Sequence, residues 1–129
     1  DVEGAARFKT YYEIPKAISS VLGVVTLDLS KAQTFVLTTS QIVSYFELIN
    51  VPSSSATTFT IQIIQDSSTD YAVDIDDFRT SGGSAIPLRW PGGIAPTVTP
   101  VAGAVDVYSF MTFDGGSNLY GVIGGQNFS

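Results

Sequence analysis

The sequence predicts an all-β fold: a single antiparallel β-sandwich, jelly-roll-like, with eight or nine strands and little or no helix. Short runs rich in Val, Ile, Thr, Tyr and Phe recur along the chain, separated by Gly, Pro, Ser and Asn. Turn signals return about every eight to twelve residues, which is typical of two-sheet proteins. No segment sustains the 3.6-residue apolar period of an amphipathic helix.

The first predicted strands lie in the N-terminal third of the chain. Residues 8–13 alternate and predict a strand that ends before Pro15, because proline cannot donate to a ladder. Residues 24–29 alternate more clearly, and residues 34–39 form the next candidate. The short polar turn at 30–33 suggests that these two strands form a hairpin.

The clearest alternation lies at residues 57–65, where Phe59, Ile61 and Ile63 share one face. We expect this strand to be central in its sheet. Residues 77–100 are punctuated by Gly and Pro, which predicts a series of defined turns. The remaining predicted strands are residues 43–50, which are apolar on both faces, 71–75, 104–113 and 119–123, with a hairpin turn at 114–118.

Composition favours a protein that assembles with copies of itself. Hydrophobic residues make up 44% of the 129 residues and charged residues only 14%, against roughly 25% charged in ordinary soluble domains. We expect a partner chain to cover part of this surface in a homo-oligomer. Residues 1–21 are assigned to an N-terminal arm and first strand, which is a candidate assembly contact, and residues 22–129 to the sandwich.

Charge and residue types argue against several classes of function. The net charge is −6 and the six cations are scattered singly, so no basic patch is available for nucleic acid. No apolar run is long enough for membrane insertion. The chain has no Cys and no His, which removes thiolate chemistry and the commonest general base and metal ligand. We therefore expect no enzyme activity and no cofactor.

Carboxylates supply the remaining candidates for chemistry. Asp66, Asp70, Asp74, Asp76 and Asp77 lie close together in sequence, and carboxylate oxygens are ligands for Ca²⁺. Their spacing does not match an EF-hand loop, so we favour a charged strand edge that discourages edge-to-edge pairing. A glycosidase would need two carboxylates across a cleft. Glu47 and Asp106 are candidates by type, but nothing in the sequence brings any two together.

Aromatic residues supply the candidates for glycan or interface contacts. Trp90, followed by Pro91-Gly92-Gly93, is either a sugar-stacking platform or a ring that closes one end of the sandwich, and we favour the second. Tyr11 and Tyr12 are either part of a glycan groove or interface residues whose hydroxyls stay in water.

The C-terminal half carries an ordered series of short motifs, with two more upstream. The motifs are Thr26-Leu27-Asp28-Leu29, residues 58–66, Trp90-Pro91-Gly92-Gly93, Ala95-Pro96, residues 102–107, Phe110, Thr112, Asp114-Gly115-Gly116, Tyr120-Gly121 and Gln126-Asn127-Phe128-Ser129. Their order resembles a domain found at the ends of phage structural proteins, often in cyanophages and other marine or freshwater phages. The resemblance covers roughly residues 22–129, although residues 76–88 form a longer segment than usual and Arg89 stands where Lys is common. It implies a β-rich tail-fibre or virion module with no established catalytic residues and, because fibre tips are usually trimeric, a trimer as the favoured oligomer.

Four functions stay open at this point. The first is a tail-fibre or appendage domain of the virion, which contacts other virion proteins and a host surface glycan. The second is a capsid decoration or cement protein, which the length and the N-terminal arm also fit. The third is a carbohydrate-binding module built on Trp90 and tyrosines. The fourth, a glycan hydrolase, has the least support.

Overall fold

The computed structural model describes Ala5 and residues 7–129. Within these residues the fold is all-β, as predicted, with one short 3-10 turn at Pro91–Gly93. No helix in this described part is long and apolar enough to cross a membrane. The ten strands found there are β1 (Lys16–Ile18), β2 (Ser20–Val21), β3 (Val24–Asp28), β4 (Thr34–Thr38), β5 (Tyr45–Ile49), β6 (Thr57–Ile64), β7 (Phe78–Arg79), β8 (Leu88–Arg89), β9 (Val105–Thr112) and β10 (Leu119–Phe128).

The strands form two mixed sheets. The six-stranded sheet has the order β1-β4-β6-β9-β10-β8 and the four-stranded sheet the order β2-β3-β5-β7. Five of the eight pairs are parallel and three are antiparallel. The prediction of a purely antiparallel, jelly-roll-like fold with eight or nine strands is therefore wrong. Apolar alternation reports which face of a strand is buried, but it carries no information about the direction of the neighbouring strand.

The chain crosses between the sheets at each step from β3 to β7. Strands β3, β5 and β7 lie in the four-stranded sheet, while β4 and β6 lie in the other. Neighbours in one sheet are therefore two elements apart in sequence and run parallel. The predicted hairpin of residues 24–29 with 34–39 is wrong for this reason, because the turn between them carries the chain to the opposite layer.

Two predictions about the longer strands are confirmed, whereas two other predicted strands are not formed. Strand β6 lies between β4 and β9, which confirms its central position, and β9 and β10 form the predicted hairpin. Residues 8–13 form no strand, and residues 71–75 make only a bridge from Val73 to Val43. The part of the predicted arm at residues 1–4 and 6 lies outside the described residues.

The two sheets pack through their inner faces around an aromatic centre. Phe46 stacks on Phe78 in the four-stranded sheet, with ring centroids 5.1 Å apart. Phe78 contacts Phe110 of the six-stranded sheet at 4.7 Å, and Phe110 stacks on Phe59 at 5.2 Å. Each such ring contributes about 1.5–3 kcal/mol by burial, and each pair adds about 0.5–1.5 kcal/mol. The centre of the core therefore holds the two layers together.

Candidate functional site

Trp90 lies inside the protein and is only 7% exposed. Its Nε1 donates a hydrogen bond to Asp76 Oδ1 at 2.7 Å, and its ring meets Tyr108 and Phe110 edge-to-face. A Cβ added to Gly121 would lie 2.6 Å from Cζ3 of the indole, so the ring lies directly over this backbone. Trp90 closes one side of the core, and its ring is not presented as a surface for stacking a sugar.

Tyr11 and Tyr12 lie on the surface, 78% and 88% exposed. They belong to an extended segment that we call the arm, residues 7–15, which is exposed throughout. Tyr11 and Tyr12 line a groove with the turn at residues 29–33, whereas Trp90 packs against strand β10. The structure therefore does not bring the three predicted aromatics together into one site.

Four of the five aspartates at residues 66–77 accept separate hydrogen bonds, and the five are not grouped around one point. Asp66 accepts hydrogen bonds from the backbone of the turn that follows it, and Asp74 accepts one from Asp76 N. Asp77 forms a two-point ion pair with Arg79, at 2.8 and 2.9 Å. In the described part of the chain, no group of three or more His, Cys, Asp or Glu side chains is arranged to hold a metal ion.

Asp106 is a buried carboxylate, 1% exposed, inside the six-stranded sheet. Its Oδ1 accepts hydrogen bonds from Thr99 Oγ1 at 2.7 Å and from Asn127 N at 2.8 Å. Its Oδ2 accepts from Thr99 N at 2.8 Å, Tyr108 Oη at 2.7 Å and Gln126 Nε2 at 3.4 Å. One side chain thus joins strand β9 to the 96–103 loop and to the end of β10.

These contacts also set the ionisation of the network. Burial alone would raise the pKa of Asp106, but the hydrogen bonds from Asn127, Thr99 and Tyr108 outweigh it and lower the pKa below its ordinary value. Burial, and then the bond to Asp106, raise the pKa of Tyr108 far above its ordinary value. Asp106 is therefore a carboxylate and Tyr108 a neutral phenol at neutral pH, and both sides of the carboxylate are occupied by donors.

Sequence reasoning did not identify this network. By residue type Asp106 is a candidate glycosidase carboxylate, but its position among its strand neighbours indicates a buried charge. In Val105–Thr112 the inward positions are 106, 108, 110 and 112, so a charge at the first of them is predicted to face the core. A second buried polar side chain, Gln65, similarly accepts from Thr39 Oγ1 and donates to the carbonyls of Tyr71 and Thr99.

The two outer faces of the protein differ in charge. The outward side chains of β4, β6, β9 and β10 are apolar or uncharged, and Asp106, which points inward, is the one charged residue in these four strands. The outer face of the four-stranded sheet instead carries Glu47 and Arg79, with the guanidinium 4.1 Å from the centre of the Tyr45 ring. We call the first surface the uncharged face. Its outward residues are Thr34, Val36, Thr38, Thr58, Thr60, Gln62, Ile64, Val105, Val107, Ser109, Met111, Tyr120 and Val122.

Searches against protein-family models, curated proteins and solved structures returned no match for this chain.

Proposed function

We propose that the chain is a non-enzymatic structural domain of a bacteriophage particle, a tail-fibre or appendage module that acts in particle assembly and host-surface attachment. The observation that supports it best is the uncharged face, which covers the four central strands of the larger sheet. Charged residues are depleted at the centre of protein interfaces and common on free surfaces. A sheet face without charge is therefore suited to contact another copy of the chain.

The size of the uncharged face is consistent with part of a stable interface. Neighbouring strands lie about 4.8 Å apart and rise about 3.3 Å per residue, so the face of these four strands has a flat area of roughly 400 Å². A standard interface buries about 800 Å² per partner. The face supplies about half of this, so further contacts from another part of the chain would complete the interface.

The buried polar groups also favour a scaffold role. Asp106 and Gln65 each tie strand ends to loops and use their hydrogen-bonding capacity in doing so. Satisfied buried networks make a fold rigid and specific. We propose a two-layer sandwich that needs no cofactor for stability and gains further stability from assembly by mass action.

The first experiment measures mass in solution by light scattering, over a range of concentrations. We expect a trimer, three times the 13.7 kDa of one chain. Gln62→Lys places a charge in the middle of the uncharged face, between Val36 and Val107, and an unpaired buried charge costs several kcal/mol. This variant is expected to be monomeric at concentrations where the original chain assembles.

Thr26→Lys is the matched control, because it adds the same charge to the exposed, already charged outer face of the smaller sheet. It is expected to keep the original mass. A monomeric original chain would contradict the proposed assembly, and equal behaviour of the two variants would exclude the uncharged face as its surface.

The exposed arm favours a second candidate, a capsid decoration protein, because extended segments with few core contacts are typical of chains that order against a neighbour. Antibodies against the chain, applied to purified particles in electron microscopy, separate the candidates. Labelling of the tail supports the first and labelling of the shell the second. Absence from the particle would overturn both.

A further inference from the structure

The arm and the segment at residues 66–77 lie at opposite ends of the strands. Strand β1 runs parallel to β4 and begins beside Phe35, so the arm leaves the sheet where β4 starts, and Glu13 accepts a hydrogen bond from Thr34 there. Segment 66–77 begins where β4 ends, since Asp66 N donates to Thr39 Oγ1. The five residues of β4 separate the two ends by about 16 Å. We call them the arm end and the acidic end.

The two segments carry opposite charge. The arm contains two cations, Arg7 and Lys9, and one carboxylate, Glu13, and Lys16 follows it as the first residue of β1, so three of the six cations of the chain lie at this end. Segment 66–77 has five aspartates and no Lys or Arg, and the nearby Arg79 is already paired with Asp77. The molecule therefore presents a cationic segment at one end and an anionic segment at the other.

Both segments also present apolar groups. At the acidic end, a groove is lined by residues 42–44, residues 72–75, Pro96 and Thr97, with Ile42 61% exposed and Asp74 exposed beside it. A bridge joins two of the lining segments, with Val43 N bonded to Ala72 O and Asp74 N bonded to Val43 O, each at 3.0 Å. In the arm, Phe8, Tyr11, Tyr12 and Ile14 are 76–88% exposed.

We infer that copies of this chain associate head-to-tail, with the arm of one copy lying in the acidic-end groove of the next. The aromatic side chains of the arm would cover the apolar lining of the groove, and Arg7 and Lys9 would meet Asp70 and Asp74 of the next copy. In its own copy the arm lies beside the turn at residues 29–33, at the opposite end, so the occupant of the groove is a second copy. This inference rests on the proposed assembly and specifies its second contact.

The arm and the acidic-end groove are different patches, so a contact between them is heterologous. Such a contact closes into a ring or continues as a filament, depending on the rotation between copies. The proposed trimer is a ring of this kind. Such a contact adds buried area beyond the uncharged face and weakens as salt screens its charges.

The test compares two changes that lower the net charge equally, by two. Lys9→Glu alters the arm, and the control, Ser81→Glu combined with Ser84→Glu, alters two exposed residues of the turn between β7 and β8. Association is measured by sedimentation at low and at high salt, with unfolding curves to verify folding. We expect Lys9→Glu to weaken association about tenfold at low salt and less at high salt, with the double-serine control close to the original chain.

A rescue experiment makes the test specific. The pair Asp70→Lys and Asp74→Lys should weaken association when introduced alone. The same pair, combined with Arg7→Glu and Lys9→Glu in one chain, should restore association because both partners are then reversed. Failure of this rescue, or equal effects of Lys9→Glu and the double-serine control, would overturn the head-to-tail contact and leave assembly through the uncharged face intact.

Two other results would overturn the head-to-tail contact for different reasons. An original chain that stays monomeric at every concentration would overturn the proposed assembly itself, and the head-to-tail contact with it. Binding of the original chain to phosphatidylserine vesicles, abolished by Lys9→Glu without any change in the mass of the free protein, would assign the arm to a lipid surface and overturn the inference.

Discussion

Replacement of Asp106 by Asn tests the reasoning about the buried network most directly, because the two side chains have nearly the same shape. Each carboxylate oxygen accepts from one backbone N–H and one hydroxyl: Asn127 N and Thr99 Oγ1 at Oδ1, and Thr99 N and Tyr108 Oη at Oδ2, which also accepts from Gln126 Nε2 at 3.4 Å. The amide group of Asn must replace one of these oxygens. A hydroxyl can rotate and accept from the amide, whereas a backbone N–H cannot.

One fixed backbone donor therefore loses its acceptor in either orientation of the amide. An unsatisfied buried donor costs about 1–3 kcal/mol, and the lost charge on the remaining bonds adds about 1 kcal/mol. We expect a loss of about 3 kcal/mol in the free energy of unfolding. For the 129 residues the unfolding entropy is about 0.27 kcal/mol/K, so Tm should fall by about 11 °C.

Calorimetry at pH 7 measures this change, with Glu47→Gln as the control for loss of a surface carboxylate, because its amide oxygen can still accept the hydrogen bond from Thr26 Oγ1. The control should stay within about 0.5 kcal/mol of the original chain. An Asp106→Asn variant as stable as the control would refute the argument, because it would mean that the network contributes no net stability to the folded state.

Further predictions concern the packing of the indole and the response to acid. Trp90→Ala should lower the free energy of unfolding by about 3–5 kcal/mol, and an unchanged urea midpoint would contradict its place in the core. Gly121→Ala should cost about 1–3 kcal/mol by overpacking against the indole, while Gly82→Ala, whose added Cβ has its nearest neighbour at 3.9 Å, should be close to neutral in the same assay. The pKa of Asp106 is lowered on folding, so its contribution is present above the unfolded value of about 3.9 and is lost as pH falls through the lower folded value. The stability difference between the original chain and Asp106→Asn should therefore shrink on acidification below about pH 4, and urea unfolding at pH 7, 4 and 2.5 measures this; a constant difference would contradict the assigned ionisation.

The strands were predictable wherever local pattern is enough to define them. In residues 57–64 the alternation of Phe59, Ile61 and Ile63 with polar residues matches the burial of the strand, because side chains of a strand point alternately to its two faces. The β9–β10 hairpin was predictable because the turn between Thr112 and Leu119 is rich in Gly, Asp and Asn. The arm was not, because the alternation at residues 8–13 implies a buried face that the structure does not provide.

The candidate site was less accessible to sequence reasoning. The low charge of the chain suggested a covered surface, but only the sheet order brings the outward positions of β4, β6, β9 and β10 into one continuous face. The same holds for the two oppositely charged ends. The cations of the arm and the aspartates of 66–77 are visible in the sequence, while their separation along the strands follows from the parallel pairing of β1 with β4.

The sequence by itself determined the all-β class and the inward residues of the long strands. It also shows that the chain contains no His and no Cys. These depend on side-chain type and on a two-residue period, which are local properties. The tertiary structure decided the direction of the strands, the crossing of the chain between sheets from β3 to β7, and the burial of Trp90 and Asp106. Those features depend on which distant segment pairs with which, and alternation alone is the same for a strand with a parallel or an antiparallel neighbour.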